Sequence, residues 1–228
     1  YPKLTKANSL EQHDRFSSIV STGSNLVVLI VLPCSLGAML YSYQVIQLVY
    51  ERGAFDATAT AMTSSAFLFY SAGLLFMSLA DLMTKVYYSI HDMKTPMLYA
   101  AIGVIINVIL SLILVRYMAH SGLALATSIA SLCNAVMMYF GLRRKHSYIK
   151  VFDSRKKLIK ITVASLISVG LSYAVYNIVE VTMNSITLSR FIQLIIPITA
   201  AAVIYLILLY VFKVEEVKLL KQIIRKGS

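Results

Sequence analysis

Six long apolar runs, most of them close to twenty residues or longer, constrain this chain more than any other feature. They cover residues 19–48, 61–88, 97–115, 122–142, 161–178 and 191–212. Lipid offers no hydrogen-bond partners to backbone groups, so a membrane-crossing segment is either a helix or a strand of a closed barrel. Barrel strands alternate apolar and polar residues over about ten positions, and these runs do not. The sequence therefore predicts an all-α integral membrane protein with six transmembrane helices.

Composition supports a membrane protein and argues against a soluble domain. Hydrophobic residues make up 58% of the chain and charged residues 14%, with a mean hydropathy of +0.75. The chain begins at Tyr1 and nothing like a signal peptide precedes the first run, so we expect the carboxy-terminal part of a longer protein. Cys34 and Cys133 both fall inside apolar runs, which favours buried free thiols over a disulfide or a metal site.

The distribution of Lys and Arg predicts the orientation. If the runs alternate across the bilayer, 17 of the 21 Lys and Arg residues fall in connections on the same side as the amino-terminal segment. Three, Arg52, Arg116 and Arg190, fall on the other side, and Lys85 lies within a run. Basic loops stay in the cytoplasm, so both termini are predicted to be cytoplasmic. The net charge of +11 then reflects topology and attraction to anionic lipid, and no nucleic-acid partner is expected.

The same pattern divides the chain into five segments. They are a cytoplasmic connection (1–17), four spans (18–145), a basic cytoplasmic loop (146–160), two additional spans (161–212) and a cytoplasmic amphipathic tail (213–228). Within the first span, Pro33 removes a backbone hydrogen bond and predicts a kink, either as architecture or as a hinge.

The second run contains two ionisable residues, Asp81 and Lys85, one helical turn apart. A charged side chain near the centre of a lipid-embedded helix costs roughly 2.5–3.5 kcal/mol, so such residues persist where they face a partner, a cavity or the interface. The pair is either a structural pair or interface anchor, or part of a cavity.

Small and polar residues recur every four positions in the third and fourth runs. The third run carries Gly103, Asn107 and Ser111, and the fourth carries Gly122, Ala126, Ala130 and Asn134, with Thr127 alongside. Close helix packing is one interpretation of these stripes. In the other, Asn107, Ser111 and Thr127, with the Leu123 carbonyl, supply oxygen ligands to a small cation.

In the fifth run a polar face combines Ser165, Ser168, Ser172, Tyr176 and Asn177. A wet or substrate-facing groove and helix packing explain this face equally well. The four histidines lie in predicted loops or at run ends, and neither a phosphate-binding glycine loop nor a nucleophile elbow is present in the sequence. No enzyme motif therefore stands out in the sequence.

Four ordered motifs carry a resemblance to a known family. They are Leu48-Val49-Tyr50-Glu51-Arg52-Gly53-Ala54-Phe55, Tyr70-Ser71-Ala72-Gly73-Leu74, the segment 87–96 and the segment 122–128. In this order and spacing they resemble the carboxy-terminal half of the MurJ (MviN) lipid II flippase family. The resemblance implies spans nine to fourteen of a MATE-like, fourteen-helix transporter of the MOP superfamily.

The resemblance also implies a function in the bacterial plasma membrane. Such proteins move lipid II, the undecaprenyl-pyrophosphate-linked disaccharide peptide, from the inner to the outer leaflet by alternating access, for peptidoglycan synthesis. The expected partners are lipid II, membrane lipids and the missing amino-terminal half, which carries the family's key cavity arginines. The alternatives are a polysaccharide-unit or multidrug exporter of the same superfamily, a non-transporting scaffold of cell-wall assembly, and a membrane enzyme.

Two sites follow from the resemblance. Some members bind a sodium ion, and the matching positions are Asn107, Ser111, Leu123 through its carbonyl and Thr127; Ser111 stands where the sodium-binding pattern has a carboxylate. The last two spans form in the family a hydrophobic groove suited to the polyprenyl tail, near which we place Ser172, Tyr176 and Gln193. Further candidates for substrate or cavity contact are Arg52, Asp81 and Lys85.

Overall fold

The apolar runs fold into long α-helices. The computed structural model describes residues 9–182 and 187–213, with side chains over 13–181 and 190–213. The helices in this part of the chain are α1 (Ser9–Leu40), α2 (Ser42–Tyr50), α3 (Ala57–Ser89), α4 (Lys94–Met118), α5 (His120–Lys145), α6 (Arg155–Thr182) and α7 (Thr187–Val211). All except α2 contain a stretch long and apolar enough to cross a membrane, which confirms the prediction of six transmembrane helices.

The first predicted span is not one uninterrupted helix. Helix α1 continues through Pro33 and ends at Leu40, and Tyr41 leaves helical geometry with φ −98° and ψ 18° before α2 begins. The Tyr41 ring is buried against Tyr176, and its hydroxyl bonds Ser172, so distant contacts fix this break. Hydrophobic periodicity cannot reveal such contacts, and the expectation of one span over 19–48 is wrong at this point.

Two other predicted boundaries also differ from the structure, and a third segment lies almost entirely outside the described residues. Helix α1 already includes Ser9, the first described residue, so it takes up about half of the connection predicted over 1–17. The basic loop predicted over 146–160 ends at Ser154, because Arg155 starts α6. The amphipathic tail predicted over 213–228 lies outside the described residues except for Lys213.

Sharp turns stand at both ends of α3, where the sequence has its charged motifs. At the start, the Ala59 backbone N–H donates to Oδ1 of Asp56 at 2.8 Å, which caps the helix, and Gly53 takes the left-handed φ of +59° that the preceding turn requires. At the end, the Thr95 backbone N–H donates to Oδ1 of Asp92 at 3.1 Å as α4 begins.

Helix α3 lies between α1 and α5; α4 packs on α5, and the α6–α7 pair joins the bundle through α1. At the crossing of α3 and α5, a Cβ added to Gly73 would lie 2.5 Å from Oγ and 2.8 Å from Cα of Ser128. Only a residue without a side chain allows this approach, so Gly73 sets the spacing of the two helices.

Two apolar clusters hold the bundle. The larger includes the fully buried Tyr87, Met138, Leu142, Ile149, Val151, Ile161 and Leu209. The smaller consists of Tyr41, Tyr176 and Leu194, with Leu40, Val45 and Leu48 packed against it. The α5–α6 loop supplies Ile149 and Val151 to the larger cluster, so this loop is a packed part of the fold.

Polar contacts tie the helix ends together at what we call the basic end. Nζ of Lys145 donates to Oδ2 of Asp92 at 2.9 Å, joining α5 to the α3–α4 turn. Nζ of Lys160 donates to the Phe212 carbonyl at 2.9 Å, joining α6 to the end of α7. Both contacts join connections that the charge pattern assigns to one side of the bilayer.

We call the other side of the bundle, where α2 and α4 end and α3, α5 and α7 begin, the opposite end. There the Thr60 hydroxyl donates to Glu51 at 3.0 Å, and Nη1 of Arg190 lies 3.7 Å from the same carboxylate. The hydroxyls of Ser65 and Ser121 bond at 2.6 Å. The described helices therefore alternate in direction between two ends, one of them rich in Lys and Arg.

Candidate functional site

An apolar groove of about 520 Å³ lies between α1, α6 and α7. Its lining residues are Leu29, Ile30, Pro33, Cys34, Gly37, Ala38, Tyr41 and Val45 from α1 and α2, Ser168, Val169 and Ser172 from α6, and Ile198, Ala201, Ala202, Tyr205, Leu206 and Leu209 from α7. None of these side chains is charged at neutral pH. A cavity of this size, with apolar walls and a few polar groups, is typical of a site for an apolar ligand.

Small residues keep the groove open where α1 and α7 face each other. A Cβ added to Gly37 would have no atom within 4 Å, and Ala201 and Ala202 line the wall on α7. Cys34 is exposed here, which corrects the expectation of a buried thiol, and both cysteines are free. Small side chains and the separation of α1 from α7 together leave this space.

Two tyrosines in the lining of the groove bond to other parts of the protein. Tyr41, 3% exposed, shares a 2.9 Å hydrogen bond with Oγ of Ser172, and its ring meets Tyr176 edge-on at 5.8 Å. Because the Ser172 hydroxyl donates to the Val169 carbonyl, Tyr41 donates and Ser172 accepts. The Tyr205 hydroxyl donates to the Leu29 carbonyl at 2.7 Å. Both hydroxyls are satisfied within the protein, so they leave the groove apolar.

A second cavity, of about 640 Å³, lies among α3, α4 and α5 and is more polar. Asp81, Asn107, Thr127 and Asn134 are among its lining residues. Oδ1 of Asn134 is buried and, within the described part of the chain, has no hydrogen-bond partner. Buried carbonyl oxygens normally have partners, so this cavity presents an acceptor that the apolar groove does not.

Nearly the whole chain matches a known protein family. The family model described as Lipid II flippase MurJ matches residues 1–215. The chain belongs to the MurJ family. A Vibrio cholerae protein named probable lipid II flippase MurJ is 30% identical over 147 residues, which are 64% of this chain and 28% of that protein. A Thermotoga maritima protein of the same name is 29% identical over 216 residues, 95% of this chain and 41% of that protein.

The fold agrees with a solved MurJ structure. Lipid II flippase MurJ in an inward closed conformation matches with a TM-score of 0.73 and 26% identity, over 86% of this chain and 39% of that chain. The all-α fold is thus that of a MOP-superfamily-like transporter. The chain spans about three-tenths to two-fifths of the length of these MurJ proteins.

The four positions that match the MurJ sodium pattern form two pairs within their own helices. The Ser111 hydroxyl donates to Oδ1 of Asn107 at 3.2 Å, and the Thr127 hydroxyl donates to the Leu123 carbonyl at 3.0 Å. Asn107 and Thr127 line the second cavity, whereas Ser111 and Leu123 are not among its lining residues. The set fits a sodium ion in part, and sodium binding stays a prediction.

Asp81 and Lys85 form an ion pair at 2.8 Å on α3. Their side chains are 67% and 70% exposed, and such pairs contribute about 0–1 kcal/mol to stability. Asp81 borders the second cavity and Lys85 does not. The contacts show a paired carboxylate at a cavity edge, and a role for either residue in transport stays a prediction.

The other candidates separate into two regions. Ser172 lines the apolar groove, and Tyr176 packs behind it against Tyr41. Gln193 lies in the first part of α7, next to Leu194 of the smaller cluster, and is not among the lining residues. Arg52 lies at the opposite end, exposed, with Nη2 donating to the Val49 carbonyl at 3.1 Å, and borders neither cavity.

Sequence reasoning missed a polar clasp at the basic end. The Thr95 hydroxyl, Nζ of Lys145 and the Thr95 backbone N–H all donate to the Asp92 carboxylate. The hydrogen bonds from Thr95, then that from Lys145, lower the pKa of Asp92 to about 2. The spacing of Asp92 and Thr95 is a helix-start signal that sequence can show, but Lys145 lies 53 residues away.

Sequence reasoning also missed the groove residues on α1 and α7. Their local signal is a short stretch of adjacent small residues in each apolar run, Gly37-Ala38 and Ala200-Ala201-Ala202. Such stretches mark helix contacts as often as cavities, so they identify a groove only after the helices are placed.

Proposed function

We propose that this chain forms the six carboxy-terminal spans of a lipid II flippase. The carried molecule is a polyprenyl-pyrophosphate-linked disaccharide peptide, moved from the inner to the outer leaflet of a bacterial plasma membrane by alternating access. The match of the MurJ family model to residues 1–215 carries this proposal. Because the chain spans 28–41% of its relatives, we propose that about eight further spans complete the transport path.

The head group and the polyprenyl tail of the substrate place different demands on the protein. A pyrophosphate and sugar head group cannot cross hydrocarbon unaided, so a polar path must form between lobes. The polyprenyl tail is soluble in lipid and needs only an apolar slot that holds it beside that path. The groove between α1, α6 and α7 has the walls and volume for part of such a tail. Binding and reorientation break no covalent bond in the substrate, so we propose a transporter and not an enzyme.

Charge supports an orientation with the basic end in the cytoplasm. Lys94, Arg143, Arg144, Lys145, Lys150, Arg155, Lys156, Lys157 and Lys160 lie in its turns and helix ends. Only Arg52, Arg116 and Arg190 lie at the opposite end of the described helices. Basic residues close to span ends favour the cytoplasmic side, so both ends of this chain would be cytoplasmic.

Photo-crosslinking at two adjacent positions tests the groove. Ala202 lines it, whereas its neighbour Val203 is exposed and does not. With benzoylphenylalanine at either position and the 228-residue chain in nanodiscs, we expect lipid II to label Ala202 at least fivefold more than Val203. An excess of unlabelled lipid II should compete, and a cationic drug should not.

Equal labelling at the two positions would mean that the tail contacts only the lipid-facing surface. Competition by the cationic drug alone would favour a multidrug exporter. Either result would contradict the proposal, since both leave the groove without selectivity for the lipid-linked precursor.

A further inference from the structure

We propose that the second cavity is a hydrated vestibule that admits small cations from the basic end, with Asp81 near its mouth and Asn134 as an inner acceptor. This inference concerns a different cavity from the apolar groove and does not rest on the proposed function. Water and a small monovalent cation share the chemistry that such a cavity recognises, since both bring positive charge to oxygen acceptors.

The cavity extends from the basic end to about the middle of the bundle. Its lining covers 77–88 on α3, 96–107 on α4 and 127–138 on α5. The two ends of each range lie eleven residues apart, which is about 16 Å at a rise of 1.5 Å per residue. This depth is about half of a hydrocarbon core of about 30 Å.

Exposed side chains mark the mouth of the cavity at the basic end. Tyr88 and Met97 line it there and are 50% and 71% exposed. The Asp81 side chain is 67% exposed and lies about two helical turns from Tyr88 along α3. A water molecule or an ion therefore reaches the lining from the basic end without crossing the hydrocarbon core.

Three hydroxyl groups of the lining donate within their own helices. They belong to Thr84, Thr127 and Ser131, and each donates to the carbonyl three or four residues earlier, at 2.9–3.0 Å. Because a hydroxyl has a single hydrogen, only its acceptor lone pairs remain for a ligand. These groups therefore suit a ligand that brings hydrogen-bond donors or positive charge, and they disfavour an anion.

Asn134 makes the strongest demand for a polar ligand. Its Oδ1 is buried and has no hydrogen-bond partner among the described residues. A Cβ added to Gly103 would lie 3.6 Å from Cβ of Asn134, so α4 meets α5 here without supplying a donor. An acyl chain from the bilayer has no donor either, whereas water or a cation would satisfy the carbonyl. Ser131, three residues earlier on the same face of α5, adds a second oxygen.

Asp81 gives the lining its charge. The described lining residues include neither Lys nor Arg. Nζ of Lys85 donates to Oδ2 of Asp81 at 2.8 Å, but Lys85 itself lies outside the lining. For a ligand inside the cavity, the carboxylate is thus the nearer of the two charges, and it favours a cation.

Cysteine accessibility at two adjacent positions tests for water in the cavity. In a chain with Cys34→Ala and Cys133→Ala, Ser131→Cys places a thiol in the lining, and Leu132→Cys places one outside it at nearly the same depth. Methanethiosulfonates react with thiolates, which form in water and not in lipid. In nanodiscs, we expect a trimethylammonium-bearing reagent to label Ser131→Cys at least twentyfold faster. Equal rates at the two positions would mean that lipid occupies the cavity, and would overturn the proposal.

A pair of bulky variants locates the entrance. Ala100 lines the cavity between Met97 and Asn107, whereas its neighbour Ala101 is exposed outside the lining. Ala100→Trp should lower the labelling rate at Ser131→Cys at least fivefold, and Ala101→Trp less than twofold. An equal effect of the two variants would contradict entry from the basic end.

The cation preference is tested with the same reagent and its anionic sulfonate analogue. The ratio of cationic to anionic labelling rates at Ser131→Cys is divided by the ratio at Met93→Cys, an exposed position on the α3–α4 turn that shares the surface potential of the basic end. We expect a quotient of at least five. Asp81→Asn should lower it at least threefold, and Lys85→Gln, which frees the carboxylate, should raise it. A quotient near one, or one that Asp81→Asn leaves unchanged, would overturn the preference for cations.

Asn134→Leu removes the inner acceptor and keeps a similar side-chain volume. We expect it to slow the labelling of Ser131→Cys at least fivefold, since an apolar wall at this depth holds water less well. An unchanged rate would overturn the assignment of Asn134 as the group that keeps the inner part of the cavity hydrated.

Discussion

Small residues serve opposite purposes on the two sides of α1. On one side, Gly73 of α3 lets the backbone of α5 come so close that any Cβ would clash with Ser128. On the other, Gly37 and Ala201 leave a space of about 520 Å³ between α1 and α7. A small residue in a membrane helix therefore marks a contact or a cavity depending on how the neighbouring helix is held. The packed side and the hollow side therefore respond differently to added volume.

The largest expected effect comes from Gly73→Leu, set against Gly37→Leu. At Gly73 the added Cβ meets the backbone of Ser128, and overpacking of this kind costs about 3 kcal/mol or more. For a chain of this size, that lowers the melting temperature by about 6–12 °C. Gly37→Leu should change it by less than about 3 °C, since nothing lies within 4 Å. Thermal unfolding of both variants in one detergent gives the two melting temperatures. An equal decrease in both would contradict the difference between the packed side and the hollow side.

Acid is expected to lower the stability of the protein by an intermediate amount. Thr95 and Lys145 lower the pKa of Asp92 to about 2, below its value of about 4 in unfolded chains. A lowered folded pKa means that the clasp is fully stabilising above about pH 4 and is lost as pH falls from 4 towards 2. We expect the free energy of unfolding to fall by roughly 1 kcal/mol, since the clasp is partly exposed to solvent.

Hydrogen exchange can assign this loss to one side. The clasp belongs to α3, α4 and α5, and the groove lining contains no carboxylate, so acid should speed exchange at the end of α5 and spare the groove-lining part of α7, residues 198–209. Asp92→Asn should remove the pH effect, and Asp153→Asn, which breaks an exposed pair with Lys157, is the control. Equal acid sensitivity of α5 and α7 would contradict this assignment.

The sequence alone predicts what depends on local chemistry. Span length, helix direction and the turns around Gly53 and Asp92 follow from hydrophobic runs, capping residues and charge, all readable within stretches of about twenty residues. The family itself followed from short ordered motifs in 48–55 and 87–96.

The groove could not be derived in this way, because its walls are joined by pairs distant in sequence. Tyr41 and Ser172 are 131 residues apart, and Tyr205 and Leu29 are 176 apart. The break in the first span has the same origin. Periodicity places Ser172 on a polar face, but only the packed helices show that this face meets an apolar space, and that Gln193 does not line it.

The smallest expected effect concerns sodium in the second cavity, the polar counterpart of the groove. We propose that Asn107 and Thr127, with neutral oxygens, bind sodium only weakly without a carboxylate at position 111. Ser111→Asp adds that charge one turn from Asn107, whose Oδ1 is already 3.2 Å from the serine hydroxyl. In 150 mM sodium chloride against choline chloride, we expect a stabilisation below about 1 kcal/mol, or about 2–4 °C, in this variant. The unchanged chain and Ser111→Asn should show none, and a sodium shift of equal size in all three would mean that the oxygens already present suffice.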